Sequence, residues 1–556
     1  MRTSTTARRS RLPLFVWALV VFLGALYLVA GMPIRKGRAA LREGRPLDAI
    51  AVLERGAKLR LRPADYDRML AAAHLIAGQS DKAAPHLTRL AGRDPDWFVP
   101  VGKEDVARAL VARGAYQELL DYDASVRERR ESAEVDVYRA AAQLGIGRIA
   151  DAETTLSRVN EGSVDPGRLQ SLREALRERK EGSYPFVIGR DGRAIAAMQT
   201  ESGDLVAVNI DFTPLVDRVG GPTSIEAQLT ELGTATSIIT TLDPFIQKAA
   251  LFALGSQRGS IVAIDTRSNE ILAIASASGE GTSENLALAQ QYEPGSVIKV
   301  VTSLGALDTN IDLTAIFPLE CEGFQVIENR QFFDWAKHGV VPDLSDATAS
   351  SCNLAFGRMG LALGADRLNK LMQAAGFDRA VNLGYGSVAL GRISGNPQSD
   401  YQVASHAIGL DHATITTLHL AMIGSAIANG GVFATPRLIR ERRSILGDSV
   451  PVAAPDEGNR LASPLAAKTV LETMKAVMTS PRGTGRRAAV DGLPIAMKTG
   501  TAGEAQPGFD ALIVAFAPAD DPRIAIGMIA ENAGPAEYAG ARIAHDFFQQ
   551  LKDRLR

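Results

Sequence analysis

The alternation of apolar and polar residues divides this chain into four parts. Residues 12–32 form an uncharged, mostly apolar run that is long enough to cross a bilayer as a helix. Residues 37–180 place apolar side chains at helical spacing, whereas residues 183–236 alternate apolar and polar side chains as short strands do. Residues 237–556 carry both patterns, and this mixture of strands and helices predicts an α+β domain.

Composition and charge are those of an ordinary globular protein. The chain has 556 residues, which predicts two or three domains rather than one core. Apolar residues make up 46%, charged residues make up 22%, and the formal net charge is −2. A nucleic-acid partner usually requires a strong basic excess, so this balance gives no sign of one.

Basic residues precede the apolar run and suggest how it is oriented. Arg2, Arg8, Arg9 and Arg11 favour a cytoplasmic tail over residues 1–11. The run is longer than the apolar core of a cleaved signal peptide, which favours a transmembrane anchor, although small residues near its end leave cleavage open. The rest of the chain would then lie in the periplasm, attached to the inner membrane by a single span.

Turn-like glycines recur at a regular interval in the helical region. They stand 33 to 36 residues apart, at Gly44, Gly78, Gly114 and Gly147. This is the period of a helix–turn–helix repeat, in which each glycine would end the first helix of a pair. The region resembles tetratricopeptide repeats, and an irregular helical bundle is the alternative. Such repeats bind peptides or proteins on a concave face, but the residues do not identify a ligand.

The strands and helices of the remaining chain follow from their patterns. Residues 183–236 predict a small β-rich linker module. A strand at 237–241 and a helix at 244–254 then precede a hairpin with its turn at 267–269. Three more strands are predicted near the end of the chain, so the expected sheet combines one early hairpin with three late strands.

Three short motifs occur in order within the α+β part. They are Ser-Val-Ile-Lys at 296–299, Ser-Cys-Asn at 351–353 and Lys-Thr-Gly-Thr at 498–501. The first two are weak alone, since a Ser three residues before a Lys occurs by chance in a chain of this length, whereas Lys-Thr-Gly is a stronger signal. Their order, spacing and predicted settings together make a specific signal.

Ser296 and Lys299 have the residue types of a nucleophile and its base. Residues three apart share one helix face, so both side chains would point into one cleft. A serine hydroxyl needs a base, and a lysine can act as one when burial or a second cation favours its neutral form. Lys498 could be that cation. Gly295 allows a sharp entry that places Ser296 at a helix N-terminus, where the dipole favours developing negative charge.

Ser351 and Asn353 suit proton transfer and substrate positioning. The hydroxyl of Ser351 can relay a proton between Lys299 and a leaving nitrogen. The amide of Asn353 can both donate to and accept from a peptide backbone. Either residue could instead cap a helix, which would be its purely structural role.

The last motif is typical of a strand that borders a peptide site. Alternation along the strand sends Lys498 and Gly500 to one face and Thr499 and Thr501 to the other. Gly500 would let substrate approach the strand edge. The backbone N–H groups of Thr501 and Ser296 could together hold an oxyanion. The hydroxyls and the lysine would suit a terminal carboxylate, unless Lys498 is only a solvated strand end.

Two cysteines and seven histidines give little sign of a metal site. Cys321 and Cys352 fit no zinc or C-x-x-C pattern, and they could pair in an exported chain or remain free and buried. The histidines show no ligand spacing. We therefore expect neither a metal ion nor a cofactor.

Residues of about 237–550 resemble the transpeptidase domain of penicillin-binding proteins, the serine D,D-transpeptidases. Besides the three motifs, the resemblance rests on the segments TTLDPFIQKAA, GSIVAIDTRSNEILAIAS, YEPGSVIK, SSCNLAFGRMG and RGTGRRAAVDGLPIAMKTGTAG. It implies an antiparallel sheet with helices, as in serine β-lactamases. It also implies that Ser296 is acylated and that Lys299 is its base. Ser351 and Asn353 would position the substrate and transfer protons.

The resemblance also implies a substrate. Lys498, Thr499 and Thr501 would bind the carboxylate of D-Ala, or that of a β-lactam. The enzyme would crosslink peptidoglycan stem peptides that end in D-Ala-D-Ala. No glycosyltransferase domain is visible, which favours the class B type, and the helical region stands where that class usually has a large pedestal.

Two departures from the family pattern bear on the cleft. Met497 stands where the family commonly has Gly before the Lys-Thr-Gly motif. The next strand, GFDALIVAF, lacks a His-aromatic pattern that is often found there. Both could narrow or reshape the cleft, but neither removes a catalytic group.

Two other functions fit parts of the pattern. A related serine β-lactamase or β-lactam sensor would share the acylated Ser296 and differ in how fast it releases the drug. A catalytically silent scaffold would use the helical repeats to recruit cell-wall partners, but it would not need the intact motifs. The residues do not decide between amine and water as acceptor, or between roles in elongation, division and sporulation.

Overall fold

The computed structural model divides the chain into two compact units. One comprises residues 1–182, 234–236 and 443–450, and the other comprises residues 183–233, 237–442 and 451–556. The structure describes Leu19, residues 31–58, 63–90, 103–126, 132–217, 220–228, 237–278, 284–393, 395–410 and 413–450, Val452, and residues 456–504 and 508–556. Within that part no helix is long and apolar enough to cross a membrane. The anchor predicted at residues 12–32 lies almost wholly outside it and stays a prediction.

The first unit is built from pairs of helices. Residues 31–42 are helical. The helices that follow are α1 (Pro46–Ala57), α2 (Pro63–Ile76), α3 (Ser80–Leu90), α4 (Lys103–Arg113), α5 (Tyr116–Ser125), α6 (Ala133–Gly145), α7 (Ile149–Leu156) and α8 (Pro166–Lys180). Gly78, Gly114 and Gly147 follow α2, α4 and α6 with φ of 75°, 65° and 79°. After α2, the N–H groups of Gly78 and Gln79 donate back to helix carbonyls at 3.0 and 2.8 Å, a C-cap that favours glycine. The predicted helix pairs are therefore present, and their assignment as tetratricopeptide repeats stays a prediction.

A segment from the later part of the chain completes the core of the first unit. Ile445 and Leu446 are buried in the same apolar cluster as Leu172 of α8. The guanidinium of Arg168 donates from Nε to Asp448 Oδ1 at 3.3 Å, across 280 residues of sequence. No local pattern marks residues 443–450 as part of a helical unit, because their partners lie so far away in the chain.

The second unit contains short strands and helices. Its strands, with β17 of the first unit, are β1 (Ser183–Ile188), β2 (Ala194–Gln199), β3 (Leu205–Ala207), β4 (Ser237–Thr240), β5 (Gly259–Asp265), β6 (Glu270–Ala277), β7 (Leu319–Cys321), β8 (Phe324–Ile327), β9 (Arg330–Phe333), β10 (Gly339–Val341), β11 (Ala380–Asn382), β12 (Ser387–Ala389), β13 (Gly391–Arg392), β14 (Thr414–Ile415), β15 (Val432–Phe433), β16 (Ile439–Arg443), β17 (Ser449–Val450), β18 (Asn459–Arg460), β19 (Ala496–Glu504), β20 (Gly508–Ala517) and β21 (Ile524–Ala530). Its helices are α9 (Thr213–Val216), α10 (Pro244–Leu254), α11 (Leu286–Ala289), α12 (Lys299–Asp308), α13 (Leu344–Ser350), α14 (Asn353–Leu363), α15 (Ala365–Ala374), α16 (Asp400–Ala407), α17 (Thr417–Ala428), α18 (Pro464–Thr479) and α19 (Ala539–Leu555).

The main sheet of the second unit has the predicted composition. Its antiparallel strands follow the order β19-β20-β21-β5-β6, which joins the early hairpin to the three late strands. Both faces are covered by helices. Ile264 of β5 belongs to the apolar cluster that contains Ile423 of α17, whereas its neighbour Ala263 belongs to the cluster that contains Ile246 of α10 and Phe547 of α19. Burial on both faces explains why these strands are apolar at nearly every position.

The predicted linker module forms strands, but they are part of a larger sheet. Within the second unit the strand order is β16-β4-β1-β2-β3, and β4 pairs in parallel with β1. The strand predicted at 237–241 therefore lies in this sheet and not in the main one. Residues 183–233 belong to the same compact unit as the α+β elements.

Candidate active site

The segment that carries Ser296 packs its backbone directly against β19. Residues Gly295–Ile298 form a 3-10 turn, and α12 begins at Lys299. Gly295 has φ of +51°, and a Cβ at this position would lie 2.8 Å from the carbonyl oxygen of Thr501. Glycine is therefore required both by the backbone angle and by the close approach. This packing brings Ser296 beside Thr501, as the predicted oxyanion site requires.

Lys299 is fully buried and contacts the second motif. Its Nζ donates to Asn353 Oδ1 at 2.6 Å and to the backbone oxygen and Oγ of Ser351 at 2.8 and 3.2 Å. Burial lowers the pKa of Lys299 to about 8, and the negative charge of Asp334 opposes that shift. Within the described part of the chain no hydrogen bond joins Lys299 Nζ to Ser296 Oγ.

The second motif lies between two helices. Ser351 ends α13 in a left-handed conformation with φ of 55°, and Asn353 is the first residue of α14. Cys352 is the N-cap of α14, and its Sγ accepts from the N–H of Ala355. Asn353 Nδ2 donates to the carbonyl oxygen of Phe333 at 3.1 Å, which orients its Oδ1 towards Lys299. The backbone of Ser351 therefore is the C-cap of α13, but the side chains of Ser351 and Asn353 cap neither helix and point to the lysines instead.

Lys498 is buried and faces the same hydroxyl as Lys299. Its Nζ donates to Ser351 Oγ at 2.8 Å and to the backbone oxygen of Thr499 at 2.8 Å. It is not the solvated strand end that the sequence left open. Burial first, and then repulsion by Lys299, hold the pKa of Lys498 well below its usual range. Of the two causes predicted for a lowered pKa of Lys299, burial is the one that acts, and Lys498 does not contribute.

The alternation predicted along β19 is present, and Gly500 lies against the turn that carries Ser296. Thr499 and Thr501 line the cleft. A Cβ on Gly500 would lie 2.8 Å from Val297 Cγ1 and 3.0 Å from the Val297 nitrogen. Gly500 therefore makes room for the turn that carries Ser296, and its contact with substrate stays a prediction.

The cleft brings the predicted residues together. It has a volume of about 330 Å³, and Ser296, Ser351, Asn353, Thr499 and Thr501 all line it. The two buried lysines lie behind this surface. An ammonium group and a neutral amine that contact one hydroxyl can exchange a proton through it, which is the chemistry that general acid–base catalysis at a serine requires.

Other lining residues carried no sequence signal that singled them out. Trp335, Leu410 and Phe509 supply apolar walls, whereas Thr484 and Glu537 supply polar groups. The Trp335 indole Nε1 donates to the backbone oxygen of Ser350 at 3.1 Å, which fixes the ring. These residues stand outside the motifs, and only the fold places them at the cleft.

Met497, the first departure from the family pattern, does not enter the cleft. Its side chain is fully buried in the apolar cluster that also contains Ile246 of α10 and Phe547 of α19. A Cβ on Gly485 would lie 2.5 Å from Met497 Sδ, so the two segments are in tight contact. Alternation along β19 sends Met497 away from Lys498 and into the core.

A second group of polar side chains lies beneath the cleft. Ligand atoms of Cys321, Asp334 and His338 all lie within 4.8 Å of one another. The thiol of Cys352 contacts the same carboxylate, and both cysteines are free and buried. Thiol, carboxylate and imidazole are donors that could hold a divalent cation such as Zn²⁺. Residue spacing predicts no such set, because the donors come from three separate segments.

Comparison with known proteins was consistent with this geometry. The family described as penicillin binding protein transpeptidase domain matches residues 259–553. The peptidoglycan D,D-transpeptidase PbpA of Mycolicibacterium smegmatis is 29% identical over 346 residues, which cover 54% of this chain and 68% of the relative. Stage V sporulation protein D of Bacillus subtilis is 25% identical over 285 residues, which cover 49% of this chain and 43% of the relative.

Solved structures share the fold. The D,D-transpeptidase domain of a peptidoglycan glycosyltransferase from Eggerthella lenta has a TM-score of 0.59 and 26% identity, covering 67% of this chain and 99% of that one. The penicillin G acyl-enzyme of penicillin-binding protein A from Mycobacterium tuberculosis has a TM-score of 0.58, covers 67% of this chain and 100% of that one, and at 22% identity shows the fold alone. With more than half of its length matched, the chain belongs to the penicillin-binding protein transpeptidase family.

Proposed function

We propose that this protein is a peptidoglycan D,D-transpeptidase that works through an acyl ester on Ser296. The observation that carries the proposal is the convergence of Lys299 and Lys498 on Ser351 Oγ, beside Ser296 in the same cleft. The relatives are named as D,D-transpeptidases, which supports the same reaction. Inhibition by β-lactams follows from the mechanism, since they acylate the same hydroxyl.

The acylation step uses the predicted residues in defined roles. Lys299, as the neutral amine, takes the proton of Ser296 while Oγ bonds to the carbonyl carbon of the penultimate D-Ala. The N–H groups of Ser296 and Thr501 would hold the developing oxyanion. The carbon–nitrogen bond then breaks, and the departing D-Ala nitrogen receives a proton through Ser351. Thr499 and Thr501, with Lys498 behind them, would bind the terminal carboxylate.

The deacylation step decides the product. An acceptor amine attacks the ester carbon, Ser296 Oγ regains its proton, and an interpeptide amide remains. Water in place of the amine gives a D,D-carboxypeptidase, and both acceptors are compatible with the site. A β-lactamase or drug sensor would share the acylation step, but the relatives' names do not favour it.

Membrane attachment and partner binding extend the proposal. The apolar run at residues 12–32 would anchor the chain in the inner membrane, with the catalytic unit in the periplasm where its substrate lies. The helix pairs of the first unit would bind a protein partner, as tetratricopeptide-like surfaces do.

The proposal is tested by incubating the protein with a stem pentapeptide that ends in D-Ala-D-Ala. Released D-Ala and crosslinked dimer are measured by mass spectrometry, with Ser296→Ala as the inactive variant. We expect D-Ala release that depends on Ser296. A protein that instead turns over a chromogenic cephalosporin many times per minute would be a β-lactamase, and a protein that does neither would support the scaffold.

A further inference from the structure

A second groove opens beside the catalytic cleft and shares two of its walls. Thr484 and Glu537 line both cavities. The groove has a volume of about 610 Å³ and is also lined by Arg486, Arg487 and Tyr538. All of these residues belong to the second unit. The two cavities therefore adjoin at Thr484 and Glu537.

The groove meets the cleft on the side where the terminal D-Ala is proposed to leave. Thr484 Oγ1 lies 2.6 Å from Thr499 Oγ1, and Thr499 is a proposed contact of the D-Ala carboxylate. The acceptor amine must attack the same carbonyl carbon that the D-Ala nitrogen has left. By microscopic reversibility it arrives along the path that the leaving group took. The rest of the acceptor must then extend past Thr499.

The charges along the groove change sign. Glu537, at the junction with the cleft, makes no ion pair within the described part of the chain. Arg486 and Arg487 are exposed beyond it, and among the described residues neither is paired with a carboxylate. Arg486 Nη1 donates to the backbone oxygen of Pro481 at 3.3 Å, and the Arg487 guanidinium lies 4.8 Å from the ring centroid of Tyr538. These contacts hold two cations at the groove without neutralising them.

We propose that this groove binds the acceptor strand, an anionic peptide that bears a primary amine. The proposal rests on the transpeptidase function argued above. Glu537 attracts the ammonium group as it reaches the cleft, and Arg486 and Arg487 bind carboxylates of the same peptide farther along. The ammonium releases one proton to solvent. The amine then bonds to the ester carbon, the bond from that carbon to Ser296 Oγ breaks, and the second proton passes to Oγ through Lys299.

The test measures the ratio of transfer to hydrolysis for the acyl-enzyme. Full-length protein is acylated with a peptide thioester donor, and transfer to an acceptor peptide is compared with hydrolysis by mass spectrometry. The variants are Arg487→Gln, Glu537→Gln and the control Arg367→Gln, an exposed arginine of α15. Because both products come from one acyl-enzyme, any change in the acylation rate cancels from their ratio.

We expect the ratio of transfer to hydrolysis to fall at least fivefold in Arg487→Gln and Glu537→Gln but not in Arg367→Gln. Amidating the acceptor's carboxylates should lower the wild-type ratio and remove the effect of Arg487→Gln. Equal ratios in all proteins would overturn the proposal, as would a wild-type acyl-enzyme that transfers to no acceptor. If the wild type forms no acyl-enzyme, the transpeptidase function itself fails, which is a different result.

Discussion

Lys498 and Lys299 donate to the same hydroxyl oxygen, that of Ser351, at 2.8 and 3.2 Å. Both lysines are fully buried, so their charges are not screened by solvent. Burial lowers the pKa of both lysines, and repulsion by Lys299 lowers that of Lys498 further. One of them is therefore available as a base near neutral pH.

The lowered pKa of Lys299 predicts the pH dependence of acylation. Only the neutral amine can take the proton of Ser296, and the pKa of Lys299 is about 8. The acylation rate should therefore rise about tenfold per pH unit below pH ~8 and level off above it. Stopped-flow labelling with a fluorescent penicillin between pH 5.5 and 9.5 measures this. A rate that is flat across the range would show that Lys299 is not the base.

Removing the Ser351 hydroxyl, which accepts from both lysines, should slow catalysis. Ser351→Ala takes away the hydroxyl that accepts from both lysines, so proton transfer to the leaving nitrogen loses its relay. We expect acylation by a peptide substrate to fall about 10²-fold or more. The matched control is Ser350→Ala, whose hydroxyl donates to the backbone oxygen of Asp346 at 2.8 Å and contacts neither lysine. Equal losses in both variants would indicate a packing effect.

Gly500 should be irreplaceable for a structural reason. In Gly500→Ala the new methyl group would lie 2.8 Å from Val297 Cγ1, so the turn bearing Ser296 must shift. Overpacking of this kind costs about 1 to 3 kcal/mol, and acylation should fall with it. Chemical unfolding and penicillin labelling measure the two effects. The control is Gly162→Ala, where the nearest atom to a new Cβ is 3.7 Å away. A fully active Gly500→Ala protein would contradict the packing described for β19.

The stability of the first unit should depend on residues 443–450, its segment from the later part of the chain. Leu446 is 2% exposed within the helical core, so Leu446→Ala should lower the unfolding free energy of that unit by about 2 to 5 kcal/mol. Leu465→Ala is the control, because Leu465 is 75% exposed. Urea unfolding followed by circular dichroism makes the comparison. Equal stability of the two variants would show that residues 443–450 do not support the helices.

Sequence patterns were sufficient to predict the main sheet and the meeting of the three motifs. Apolar runs marked its strands, and the spacing of Ser296 and Lys299 marked one helical face. They were not sufficient for contacts between distant segments. The role of Gly500 depends on which backbone lies against it, and the group formed by Cys321 and His338 joins segments with no common pattern. Burial of Lys498 likewise follows from the tertiary fold and not from its strand.

One measurement tests directly whether Ser296 is the nucleophile. Full-length protein is incubated with penicillin G, digested and analysed by mass spectrometry. We expect one adduct with the mass of the drug, on the peptide that contains Ser296, and none in Ser296→Ala. An adduct on another residue, or folded wild-type protein with no adduct, would contradict it.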